Sequence, residues 1–148
     1  MQSGSRSSRS PGSINWKMAH VPVGQKPRTR ILARIWKFCL SFPETSERLS
    51  HGAPAFFIRG QRSFVTYMDN HHGDGRLALW CASTREMQRM LVEGSPEHYF
   101  IPPYVGHRGW IGVRLDRDLG WEKVAEVIED AYLAVAPKRL VDAARARL

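Results

Sequence analysis

Gly106 to Asp118 reads GHRGWIGVRLDRD, and its arginines and tryptophan carry the spacing of a strand. Successive strand residues point to opposite faces, so Arg108, Trp110, Gly112 and Arg114 share one face and Ile111, Val113 and Leu115 the other. The second set is a core stripe. The first suits recognition, because an indole takes the flat face of a base while a guanidinium beside it takes a phosphate. Phe57 with Arg59, and Ala78 with Trp80, share faces of their own runs and could extend that surface. A sheet covered on both sides, or an interface between two copies, accounts for the same pattern, since every strand-like run is apolar on both faces. APKRL, Ala136 to Leu140, is a second basic element: Pro137 opens a helix whose free N–H groups suit an anion beside Lys138 and Arg139. Two surface cations at a change of chain direction fit it equally.

The remaining chemistry-bearing residues form no recognisable constellation. His71 and His72 lie in DNHHGDG, a stretch whose small polar residues a turn requires, and no Cys/His or HExxH spacing marks a metal site. Ser50 and His51 are neighbours whose side chains diverge in extended chain, so no dyad is expected, and His51 is assigned a structural hydrogen bond at the entry to a strand. Gly73 and Gly75 belong to a hairpin and precede no Lys-Ser/Thr pair, which excludes a phosphate loop. Glu129 and Asp130 fall on the outward side of a helix. Cys39 and Cys81 are too few for a disulfide framework and read as buried hydrophobes of a reducing compartment. The expectation is no catalytic residues, no metal, no cofactor and no enzyme.

The elements that must position these residues follow from periodicity. Arg28–Leu40 is helical, with Ile31, Leu32, Ile35, Trp36, Cys39 and Leu40 at the right spacing, and Pro43 ends it. Ala55–Arg59, Ser63–Met68 and Arg76–Cys81 read as an antiparallel meander. A helix over Thr84–Val92 turns Met87, Met90 and Leu91 inward, and His98–Ile101 and Trp110–Leu115 are two further strands. The last long helix starts near Asp118 and buries Trp121, Val124, Val127, Ile128, Ala131, Tyr132 and Val135, with Lys138–Arg147 a short helix after Pro137. The sum is an α+β fold in two layers: a single antiparallel sheet of about five strands with helices mainly on one face.

Charge is unevenly spread. Of the net +8, residues 1–30 carry +6 and no acid, so the remainder is nearly balanced. MQSGSRSSRSPGS cannot bury enough apolar surface to offset its ordering entropy, so residues 1–27 are assigned as a disordered basic tail and 28–148 as one domain. The tail reads as a phosphate-binding arm, a transit-like leader or an upstream extension of a chain starting at Met18, and assigns no function. No apolar run approaches the roughly 18 residues of a membrane span, and no secretory signal is expected.

Three ordered motifs resemble one family. SHGAPAF (Ser50–Phe56), PPYVGHRGWIGVRLD (Pro102–Asp116) and AYLAVAPKRL (Ala131–Leu140) are similar to the MmcQ/YjbR family over about residues 30 to 142. The resemblance implies a bacterial protein with an α+β fold related to frataxin-like and secretion-chaperone-like arrangements, sometimes described as a double-wing DNA-binding fold. The positions matching its motifs are His51, Gly52, Pro54 and Phe56; Tyr104, Gly106, Arg108, Trp110, Gly112 and Arg114; and Tyr132, Pro137, Lys138 and Arg139. The long basic leader and the His71-His72 loop depart from the family's pattern. Some members carry a formyltransferase label, for which these residues offer no constellation.

The combined expectation is a cytoplasmic, non-enzymatic protein that binds nucleic acid, DNA by the resemblance, through Arg108, Trp110, Arg114, Lys138 and Arg139, with Arg59, His51 and Tyr104 as additional contacts. Its affinity should fall steeply with salt. The alternative is a protein- or small-ligand-binding module, a homodimer included, whose aromatic sheet face depends on Trp110 and little on salt.

Overall fold

A computed structural model of the chain describes residues 26–147, so the tail assigned to residues 1–27 lies, up to residue 25, outside the described residues. The chain divides into two units between Lys37 and Phe38. The described part of the first is helical, the opening turns of α1 (Lys26–Leu40). In the second, strands β1 (Thr45–Ser50), β2 (Ala53–Ile58), β3 (Arg62–Asp69) and β4 (Leu77–Cys81) precede helix α2 (Arg85–Gly94). Strands β5 (Tyr99–Phe100) and β6 (Ile111–Arg114) and helices α3 (Trp121–Val135) and α4 (Lys138–Arg147) complete it.

The fold is α+β with one open antiparallel sheet, and its order is β1-β2-β3-β4-β6-β5. Six strands stand where about five were expected. The addition is β1, whose sequence TSERLS has too little apolar content to signal a strand; backbone pairing to β2 along all six residues makes it one. His51 and Gly52, both at positive φ, form the two-residue turn between them, the backbone that hairpins of this length favour.

Register assigns the faces, because cross-strand partners lie on the same side. Phe56, Val65, Cys81 and Ile111 form one row, and Tyr67, Leu79, Val113 and Tyr99 the next on that side. All eight are buried, and α3 packs over this side against β3 and β4. Phe56 pairs with Val65 but Phe57 with Ser63, so Phe64 is an extra, bulged residue. Its ring also faces α3, meeting Tyr132 edge-on at 5.6 Å. Tyr132 stacks on Phe42 at 4.7 Å and donates its hydroxyl to the Pro43 carbonyl at 2.9 Å, fastening α3 to the turn after α1.

Two helices depart from expectation. Met87 and Met90 are exposed, not inward, and α2 has no buried residue. It is held instead by Thr84, whose side chain caps the Met87 N–H, and by hydrogen bonds to the loop before β6. Helix α3 is capped by Gly120 rather than started at Asp118, because the chain turns there through φ 90° and ψ 142°, a backbone that side chains resist. Both cysteines are buried free thiols, and burial pushes each thiol pKa up.

Candidate functional site

The opposite side of the sheet carries the row Ala55, Thr66, Trp80, Gly112 and Phe100. Gly112 lets the Phe100 ring lie over the backbone: a Cβ would stand 2.3–2.5 Å from atoms of that ring and displace it. Two loops rise beside this face, Asn70–Arg76 after β3 and Pro102–Trp110 before β6. Between them and the sheet lies a cleft of about 710 Å³. Its sheet side is Ser63, Thr66, Met68 and Trp80; the β1–β2 turn adds Ser50 and His51; the loops add His71, His72, Tyr104, Val105, Arg108 and Trp110.

Both loops hold residues in costly backbone. Asn70 (φ 58°), His72 (φ 50°) and Tyr104 (φ 67°) occupy the left-handed region, as does His51 (φ 52°) in the turn. Asparagine takes this backbone readily, but each of the others costs on the order of 1 kcal/mol, as do Glu44 (φ 59°) and Arg59 (φ 57°) outside the cleft lining. The first loop is tied off by Asn70, whose N–H donates to Arg76 O at 2.7 Å and whose Oδ1 accepts the Gly75 N–H at 2.8 Å. The second is clamped to α2: Gln88 Nε2 donates to the carbonyls of Gly106 and Trp110 at 2.8 and 2.7 Å, and Arg85 to that of His107 at 2.7 Å. Gly109 fits this clamp only because it lacks a side chain, since a Cβ would meet the backbone of Arg85 and Thr84 at 2.8–2.9 Å.

Aromatic rings line the interior. His71 meets Trp80 edge-on at 4.8 Å and His72 at 4.0 Å, and Tyr104 Oη lies 3.4 Å from His72 Nε2 across the loops. Beside the cleft Trp80 Nε1 and His71 Nε2 are buried without a hydrogen-bond partner among the described residues. Burial is the main cause that lowers the His71 pKa, helped by His72 and opposed by Asp74, so the imidazole is neutral at neutral pH. The histidines do not make a metal site: among the described residues no three His, Cys, Asp or Glu side chains could hold an ion.

The structure divides the residues that sequence singled out. Arg108, Trp110, His51 and Tyr104 converge on the cleft. Arg108 comes from a 3-10 turn, Gly106–Arg108, not from the strand, which starts at Ile111. Its guanidinium lies 5.4 Å from the Trp110 ring centroid. Trp110 is a wall rather than a platform, only 5% exposed. His51 makes no structural hydrogen bond among the described residues.

The other cations lie in ion pairs. Arg114 donates Nε and Nη2 to the two carboxylate oxygens of Asp116, both at 2.9 Å. Lys138 reaches Asp142 at 3.0 Å, and Arg59 and Arg139 share Glu44 at 2.9 and 3.5 Å. The hydrogen bond from Arg59 is the chief cause holding the Glu44 carboxyl below its usual value.

Sequence reasoning missed His71, His72, Thr66, Met68 and Ser63 as site residues. Simple alternation along β3 puts Ser63 and Thr66 on opposite faces, and the bulge at Phe64 reunites them. The adjacent histidines before Gly73 and Gly75 were the available signal.

The cleft residues, 50 to 110, lie inside a match to the YjbR family model that spans residues 40–134. A crystal structure of the Deinococcus radiodurans protein DR2400, with a DUF419 domain, is similar in fold at a TM-score of 0.61 and 19% identity, covering 78% of this chain and 86% of that one. Among curated protein sequences nothing matches.

Proposed function

This chain belongs to the YjbR family, and we propose that it is a non-catalytic binding module whose ligand is a small planar molecule held in the cleft on the side of the sheet opposite α3. One observation carries the reading: Trp80 Nε1 and His71 Nε2 are buried without partners among the described residues, beside an aromatic-lined cleft. A buried polar group left unpaired costs about 1–3 kcal/mol, which a ligand supplying the missing hydrogen bonds returns. A volume of about 710 Å³ is in the range of small-molecule sites. Among the described residues Ser50 and His51 both line the cleft without bonding one another, so neither has the partner that would make a nucleophile of Ser50 there.

The test is a titration of the full chain with benzimidazole, a flat donor and acceptor, followed by NMR of the indole N–H signals. Saturable shifts at Trp80 and Trp110, lost in Thr66→Trp, which fills the sheet side of the cleft, are expected. Unsaturable shifts at all five tryptophans would defeat the reading.

A second reading rests on Arg108 and the exposed Tyr104 ring at the cleft: the pair could take a phosphate and base of single-stranded nucleic acid. It requires affinity falling with salt at a slope of roughly −0.7 per neutralised phosphate, and loss of that slope on Arg108→Ala but not Arg114→Ala.

A further inference from the structure

We infer that the ligand of this cleft is an anion: a single flat aromatic ring carrying one oxyanion group, phosphate or carboxylate, with the ring among the aromatic walls and the oxyanion on Arg108. The inference rests on the small-ligand reading above.

Charge is the first argument. Among the described residues no aspartate or glutamate lines the cleft, and Arg108 is the one permanently charged side chain there. Asp74, the acid that acts on His71, is engaged by the Arg76 N–H at 2.9 Å. A cleft of one sign between low-dielectric walls concentrates the field and selects the opposite charge.

Pairing is the second. Of the cations that the sequence singled out, Arg59, Arg114, Lys138 and Arg139 each sit within 4 Å of a carboxylate, whereas Arg108 has no acidic partner among the described residues and lies against the Trp110 ring. An indole face does not occupy the guanidinium's donors, which match a carboxylate or phosphate in geometry.

Preorganisation is the third. The turn bearing Arg108 is fixed through the carbonyls of Gly106, His107 and Trp110 by Gln88 and Arg85. Its neighbour Gly109 is packed onto the backbone of α2's first turn. A guanidinium on a clamped loop loses less freedom when it binds, which favours affinity.

The experiment pairs each anion with its neutral counterpart: AMP with adenosine, and indole-3-acetate with indole-3-ethanol, titrated into the full chain, Arg108→Gln and the control Arg117→Gln. The anion should bind about tenfold tighter than its neutral partner, the gain of one charge-assisted hydrogen-bonding contact. That advantage should shrink to within about twofold in Arg108→Gln and persist in Arg117→Gln. An effect with AMP alone assigns phosphate, and with indole-3-acetate alone, carboxylate. Equal binding of anion and neutral partner to the wild-type chain overturns the anion while leaving the cleft reading intact. Failure of all four probes overturns both.

Discussion

Arg114 and Asp116 grip each other through two parallel bonds of 2.9 Å, with side chains only 18% and 25% exposed. Burial alone would raise the Asp116 carboxyl, but the Arg114 bonds and the Leu77 N–H outweigh it and hold its pKa below the ordinary value. The pair joins the end of β6 to the start of β4, so it acts on stability. Asp116→Asn should lower unfolding free energy by about 1–3 kcal/mol in urea at pH 7, because Arg114 loses its counter-charge. Since the folded pKa is depressed, the wild-type contribution persists above the ordinary carboxylate range and is lost as pH falls through the lowered value. An unchanged urea midpoint would remove the pair from the fold's supports.

His71 sets a second pH dependence. Its pKa is lowered, so the folded chain binds fewer protons than the unfolded one below the ordinary histidine value of 6.5. Stability is therefore retained above that value and erodes as pH falls below it. Comparing urea midpoints at pH 7.5 and 5.5, His71→Gln should lose less than wild type; equal losses would show that His71 does not carry the effect.

His72 separates strain from support. Replacing it by glycine removes the left-handed penalty and adds unfolded-state entropy of similar size, so stability should stay within about 0.5 kcal/mol. Benzimidazole affinity should nevertheless fall, since the Tyr104 contact goes with the ring. A large drop in melting temperature would mean that the ring holds the loop together.

Gly109→Ala should cost about 2–4 kcal/mol. The φ of 91° resists a side chain, and the new Cβ meets backbone, which cannot swing aside. A melting temperature within 2 °C of wild type would show that α2 and the loop separate without penalty.

Tyr132→Phe leaves the Pro43 carbonyl without its hydroxyl donor and should cost about 1–2 kcal/mol in urea unfolding with the slope unchanged. No loss would mean that water replaces the bond.

Sequence patterning was enough for the meander β2–β3–β4, for α1, α3 and α4, and for the core stripe of Ile111 and Val113, because each is a periodic run long enough to reveal one face. It could not reveal β1, which is a strand by pairing and not by composition, and it revealed α2 as a helix but not its setting, in which Gln88 and Thr84 hold it while its methionines stay exposed. The site was half visible. Arg108 and Trp110 stood out by type, yet the turn that brings Arg108 to the cleft and the burial of Trp110 are tertiary facts. The Asp116 that occupies Arg114 stands two residues away, but only the folded geometry makes the bond bidentate.

The bulge at Phe64 works as a reading-frame device between the two sides of the sheet. In a strand of strict alternation, Ser63 could not share the cleft side with Thr66, and Phe64 and Val65 could not both enter the core. Deleting Phe64 alone would force a choice: either β2 slips one residue along β3, inverting every side chain of β2 and β1, or Ser63 is driven into the apolar layer beneath α3. One residue thus keeps the amino-terminal hairpin and the rest of the sheet in phase, and an insertion or deletion within Arg62–Val65 would scramble the cleft and the core together.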